Sequence, residues 1–241
     1  MGFRGSIVAG AIVYGQMIQP LVRRYGTAWL GRNWCNVRFK APAYEDDLVT
    51  STVTPDAQSG ESPAFVIRAT NQEGQELVEM HTSMPDVLPP PDPLATLEPC
   101  ERHGERVPGT WERMVLNRPF RSFYWCLTLA EQITYCECTE EELALYREGE
   151  TPPVHPALVM SQGSLAIQNQ FVMPFWIHAS STVLTRDLIR IGDVVELRCV
   201  PIEKWKRGEN EWVKFYQVYR VNNHPVVEAW KTSIIKVATR G

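Results

Sequence analysis

Apolar and polar positions along this chain follow two different periods. From His155 to Phe171 the run HPALVMSQGSLAIQNQF carries no Lys, Arg, Asp or Glu. Leu158 and Leu165 recur seven apart, as do Val159 and Ala166, which marks one face of a helix, and Gly163 leaves room for a close neighbour. An uncharged helix of about four turns predicts protein around most of its circumference. Residues Ile7 to Tyr25 predict a second buried helix of small residues, with Ile7, Ala11, Gly15, Ile18 and Val22 on one face. Pro20 removes one hydrogen bond there and is expected to kink the helix or end its first part.

Elsewhere the period is two. Val66, Arg68 and Thr70 alternate with their neighbours, as do Val78, Met80 and Thr82, so Ala64–Thr70 and Gln75–Ser83 read as strands joined by the turn Asn71 to Gly74. Extended structure is also expected within Asn36–Val53, Arg121–Cys138, Trp176–Val183 and Asp193–Val200. A long hairpin, Trp212–Val221 with Pro225–Val237, turns at Asn222 and Asn223. Six prolines between Pro85 and Pro99 predict a surface connection, irregular as far as Pro119, with Trp111 and Met114 as anchors. Thr139 and Glu142 have the spacing of a capping box for a short helix ending near Gly149. A helix, then an acidic turn (Tyr44 to Val49, Arg190 to Val195), then a hairpin occurs twice. This internal repeat predicts a module over 1–84, a linker over 85–119 and a second module over 120–241. The expected fold class is α+β, each module a curved antiparallel sheet wrapped around one buried helix.

Charge narrows the function. Of 241 residues 22% are charged and the net charge is -4, so neither nucleic acid nor a membrane surface is an expected partner. Six cysteines are scattered, and the close pair Cys136 and Cys138 falls on an expected strand, facing opposite ways, which suits neither a disulfide nor a shared metal. No secretory leader pattern and no apolar run of about 18 residues is present, so a reduced, cytoplasmic protein is expected. With no HxxxH, CxxC, GxSxG or phosphate-binding glycine loop, no metal and no cofactor are expected.

Particular runs carry a resemblance. GFRGSIVAGAIVYGQMIQPLV followed by VRFKAPAYEDDLVTSTV looks like the helix and next strand of MaoC-like hydratases and dehydratases, whose pattern is Gly-Phe-x-x-x-Ile-Val-His-Gly, then Arg-Phe and an acidic turn. Ala9 stands where that histidine would be. HPALVMSQGSLAIQNQF, PFWIHASSTV and RIGDVVEL are similar to the C-terminal halves of double-hotdog members. The resemblance implies a double hotdog acting on an acyl-CoA, an enoyl or 3-hydroxyacyl thioester. Its carbonyl would be held by backbone N–H groups at the helix N-termini, which places substrate contacts at Ala9, Gly10, Ala157 and Leu158.

The family's acid–base pair is an aspartate and a histidine five residues later, in a loop before the helix. Glu150 and His155 have that spacing here, with Pro152 in place of an expected asparagine. The resemblance therefore implies Glu150 as general base and His155 as proton donor, with His178 across the mouth. The structural alternatives are a solvated Glu150, a His155 that caps or packs, and a His178 held by hydrogen bonds in a core or groove. Lys204, Lys206 and Arg207 either meet coenzyme A phosphates or form a solvated turn. The first module has no matching loop, either because the start is truncated or because that half was never catalytic. Two further classes stay open: a non-catalytic acyl-thioester binder, and an interaction subunit forming homo- or hetero-oligomers through its sheet edges.

Overall fold

The computed structural model describes residues 5–60, 63–100, 104–173 and 176–237. Gly2 and Phe3 of the first run, and Pro174 and Phe175 of PFWIHASSTV, lie outside the described residues. In chain order come α1 (Gly10–Tyr25), α2 (Thr27–Gly31), β1 (Asn33–Phe39), β2 (Thr50–Pro55), β3 (Ala64–Thr70) and β4 (Glu76–Ser83). After a proline-rich stretch follow β5 (Val107–Pro108), β6 (Phe123–Trp125), α3 (Leu129–Cys138), α4 (Pro156–Gln168) and β7 (Phe171–Val172). Last come β8 (Ile177–Thr185), β9 (Val195–Arg207), β10 (Asn210–Val221) and β11 (His224–Lys236).

The described strands build a nine-stranded sheet in the order β2-β3-β4-β1-β8-β11-β10-β9-β6, paired antiparallel throughout. Strands from residues 33–83 form one end and strands from 123–236 the other; they meet where β1 pairs with β8, Val37 opposite Ser181. Both long helices lie on the same side of this sheet. Val13, Met17, Ile18 and Leu21 of α1 pack on Cys35, Val37, Ile67 and Met80. Ala166 of α4, with Leu158 and Val159, packs on Val195, Leu197, Tyr219 and Ala229. Small residues set the spacing between the helices: a Cβ added at Gly15 would meet His155 Cε1 at 2.8 Å and Ala157 Cβ at 2.9 Å.

Several elements depart from the sequence reading, each for a local reason. Helix α1 runs through Pro20, which sits on the exposed side, where water can take the carbonyl that the missing N–H leaves free. It stops at Gly26, whose φ of 55° turns the chain and lets its N–H cap Val22 O at 2.8 Å. Residues 129–138 are helical, not extended, because Thr128 and Glu131 make the capping box and Gln132 and Cys136, four apart, are buried. Thr139 is the C-cap of that helix instead of the start of another, and only a short 3-10 turn, Ala144–Tyr146, follows. Cys136 is buried and Cys138 exposed on α3, and all six cysteines are free. The proline-rich segment is more than a surface connection. Ala95 is buried against Tyr216 and Val218 on the sheet's outer face, Met114 is buried among Phe120, Ile167 and Phe215, and β5 bridges β7 in parallel.

Helix α4 gives the most consequential difference. Only Ala157, Gly163, Ala166 and Ile167 are buried, and Leu165 is 44% exposed. An apolar side of this uncharged helix therefore faces open space.

Candidate functional site: a groove floored by a buried lysine

Two places gather the chemistry. The first is the start of α4. His155 caps that helix, its Nδ1 accepting from Ala157 N at 3.2 Å, while its own backbone N–H donates to Gln132 Oε1 at 2.8 Å. Its Nε2 lies 3.6 Å from Glu141 Oε2. Glu141 Oε1 also accepts from Gln19 Nε2 of α1 at 3.2 Å and from Leu143 N at 2.9 Å. Burial raises the Glu141 carboxyl's pKa, but His155, the Leu143 N–H and Gln19 outweigh it and hold the group below its ordinary range. The rings of Tyr146 and Tyr135 flank the imidazole, with centroids 4.6 and 5.0 Å away. His155 and Glu141 are both buried, and Gly15 of α1 closes directly over the His155 ring.

Glu150 is not part of this cluster. The segment Pro152–Val154 is tied to Ile189–Ile191 by Ile191 N to Pro152 O and Val154 N to Ile189 O, which leaves Glu150 exposed in a surface depression beside Arg190. The carboxylate facing His155 is Glu141, which sequence reasoning missed. Glu141 lies in the loop just after α3, well outside the five-residue acid–histidine spacing sought at 150 and 155, so that spacing could not find it. Ala157 is buried with its N–H engaged by His155, and Leu158 packs into the core. The N-terminus of α4 is thus plugged by its own chain.

The second place is a groove of about 760 Å³ between the start of α1, the open side of α4 and the ends of β8 and β11. Here Ala9, Gly10 and His178 come together, with Met160, Ser161, Ser164 and Leu165 as the α4 wall. No side chain caps the N-terminus of α1 and no acidic residue lies in its first turn, so its partial positive charge opens onto the groove. His178 is turned inward at an irregularity in which Thr232 pairs with Ser180 but Ser233 pairs with His178, leaving Ala179 as an extra residue. Its Nε2 is 2.7 Å from Ser181 Oγ and its ring lies 4.6 Å from that of Phe39. Burial first, then the nearby charge of Lys231, push this imidazole well below its ordinary pKa, so it is neutral at physiological pH.

Lys231 lies outside the residues that the sequence motifs mark. It occupies an inward position in the row Val227, Ala229, Lys231, where apolar residues belong, and is 2% exposed. Its Nζ donates to Ser164 Oγ at 2.6 Å, and burial brings its pKa from 10.5 down to about 8. It lines both the groove and a smaller void of about 60 Å³ beyond it, which Met160 also borders. The alternation of β11 carried this signal: a lysine on the core-facing parity of a strand. The basic hairpin tip is occupied differently. Lys204 Nζ donates to Trp111 O at 2.9 Å, and Lys206 lies 3.0 Å from Glu211.

Among the described residues no group of three His, Cys, Asp or Glu side chains could hold a metal ion, and no helix is long and apolar enough to cross a membrane. The sequence matches no family model and no curated protein. Solved structures do match. A putative MaoC domain protein dehydratase from Chloroflexus aurantiacus superposes with a TM-score of 0.66 at 12% identity, covering 97% of this chain and 83% of that one. A conserved hypothetical protein from Mycobacterium tuberculosis, described as having a double hotdog fold, gives 0.65 at 11% identity over 97% and 83%. A MaoC-like dehydratase gives 0.61 at 11% identity over 97% and 85%. Likeness of this extent at such low identity identifies architecture alone, and the chain has an α+β hotdog fold.

Proposed function

We propose that this chain binds an acyl thioester in the groove between α1 and the β8–β11 ends, with the acyl chain along the open side of α4 and the thioester carbonyl at the N–H groups of Gly10 and Ala11. The observation that carries this reading is the groove wall itself. Helix α4 has no charge on any face yet leaves Met160 and Leu165 facing a space of about 760 Å³, next to an uncapped helix N-terminus. An apolar wall beside an uncompensated positive helix end suits a ligand with an aliphatic chain and a polarisable carbonyl. The hotdog likeness to proteins named as dehydratases supports the same substrate class. In this reading residues 1–84 and 120–241 are two modules, 85–119 is the strap between them, and the start of α1 supplies the carbonyl site that the plugged start of α4 does not.

A second reading, hydration or dehydration of the bound thioester, is favoured by one observation. Lys231 reaches the groove with a pKa of about 8, so near neutral pH it can give up and take back the proton that water addition or loss requires. His155 and Glu150 do not carry either reading, the first because it is sealed under α1 and the second because it lies on the outer surface.

Titration with a trans-2-enoyl-CoA, followed by calorimetry and by the enoyl absorbance, separates these readings. Saturable binding without loss of absorbance supports the first, and binding with loss of absorbance supports the second. Absence of binding, or binding that survives Leu165→Glu undiminished, overturns both.

A further inference from the structure

Among the described residues every other buried charged side chain has a lysine, arginine or histidine side chain as its partner. Glu228, fully buried, meets Arg186 and accepts from Tyr216 Oη at 2.7 Å. Glu196 lies 2.9 Å from Arg198 and 3.4 Å from Arg220, Glu211 lies 3.0 Å from Lys206, and Glu141 faces His155. Lys231 is the exception. Among the described residues it has no carboxylate within ion-pair distance, and the hydrogen-bond acceptor it does find is the neutral Ser164 hydroxyl. An ammonium withdrawn from water without a counter-charge is costly, and an anion brought to it would offset that cost.

The surroundings of Lys231 point the same way. Its Nζ sits 5.7 Å from the centroid of the Trp176 ring. The indole N–H groups of Trp176 and Trp212, both lining the groove, are buried and have no acceptor among the described residues. The Ser233 hydroxyl, two residues along β11 from Lys231, is likewise buried and without a partner. Unmet donors of this kind want an acceptor. The groove thus offers a cation and two spare indole N–H donors, and among the described residues no carboxylate lines it. That inventory fits an anionic oxygen ligand.

We infer that the groove selects acyl groups that end in a carboxylate, a half-thioester of a dicarboxylic acid, with the free carboxylate seated on Lys231. The inference rests on the thioester-binding reading above and adds to it what the far end of the acyl chain is. In the ligand-free protein Ser164 Oγ occupies the ammonium; in the complex a carboxylate oxygen takes one of its three N–H bonds. Lys40 also borders the groove but is already engaged, 2.7 Å from Glu76 and 3.2 Å from Glu79.

The test compares glutaryl-pantetheine with its neutral counterpart pentanoyl-pantetheine, both lacking coenzyme A phosphates, by calorimetry on the wild-type chain, Lys231→Met and Lys40→Met. The expected result is a preference of about tenfold or more for the glutaryl compound. Lys231→Met should abolish that preference by lowering glutaryl affinity more than pentanoyl affinity, and Lys40→Met should retain it. Free glutarate is the third arm, and it should bind far more weakly than the thioester. Equal binding of the two thioesters by the wild type, or a preference that survives Lys231→Met, overturns the inference and leaves the thioester reading standing. If neither thioester binds, the thioester reading itself falls and the inference with it. Binding of free glutarate as tight as that of its thioester would overturn the assignment of the anion to the acyl chain of a thioester.

Discussion

Replacing Lys231 by methionine should make this protein more stable at neutral pH, although the side chain removed is almost fully buried. Burial lowers the ammonium from 10.5 to about 8, and this gap corresponds to about 3 kcal/mol of unfavourable energy in the charged folded form. The folded pKa lies below the unfolded one. Between about 8 and 10.5 the unfolded chain therefore holds a proton that the folded chain has released, and the Lys231 contribution to stability rises with pH by about 1.4 kcal/mol per unit. Below about 8 the full cost is present. Methionine has a similar length and no charge to desolvate. The substitution leaves the Ser164 hydroxyl without its donor, which costs about 1 kcal/mol. The net expectation is a gain of about 2 kcal/mol at pH 7 that vanishes and then reverses slightly toward pH 10. Urea unfolding of both proteins at several pH values measures this difference. The Cys35 and Cys199 thiols, pushed up to about 12 by burial, also titrate differently on unfolding, but they do so in both proteins and largely cancel in the comparison. A Lys231→Met protein less stable than the wild type at pH 7, by an amount independent of pH, would show that the ammonium is already satisfied in the free protein. The case for an incoming anion would then be lost.

Other substitutions test the rest of the architecture. Glu141→Ala leaves His155, the Gln19 amide and the Leu143 N–H facing an unfilled space, and should cost about 3 kcal/mol in urea unfolding while leaving groove binding in the surviving folded fraction unchanged. Gly163→Ala would bring a Cβ to 2.4 Å from Gln217 Oε1 and 2.8 Å from the Tyr219 hydroxyl, forcing α4 off the sheet; a loss of about 1 to 3 kcal/mol in thermal unfolding is expected. Glu150→Gln, at the exposed depression, should change stability by less than about 0.5 kcal/mol and leave thioester affinity as it was. A large loss of turnover in that variant would restore Glu150 to the reaction.

Much of the framework was legible from pattern alone, because its elements are amphipathic in the simple way. The small-residue face of α1, the β3–β4 hairpin about Asn71 and the β10–β11 hairpin about Asn222 and Asn223 all stand where the apolar spacing put them. Helix α3 looks extended in the sequence since only Gln132 and Cys136 are buried on it, one of them polar, so it carries almost no apolar stripe; its capping box at Thr128 and Glu131 is the usable signal. The site was harder. Ala9, Gly10 and His178 do share a groove, yet His155 is drawn away from it by Glu141, a residue that reads as one more charge in the run TEEELALYREGE. Lys231 was hidden for the opposite reason: on a long hairpin a lysine passes as solvent-facing until its parity with Val227 and Ala229 is counted. The charge-free composition of α4 predicts surrounding protein, whereas part of that surface faces the groove.

The claim on which the account turns is that the acyl chain lies in the groove beside α4. An acyl-pantetheine carrying a photoreactive diazirine near the end of its chain, irradiated with the protein and mapped by peptide mass spectrometry, tests this directly. The account predicts labelling of peptides that contain Met160 to Gln168 and Ile177 to Ala179, suppressed by an excess of unlabelled thioester. Labelling confined to the outer-face hollow around Trp34, Leu184 and Trp230, or to the depression beside Glu150, would contradict it.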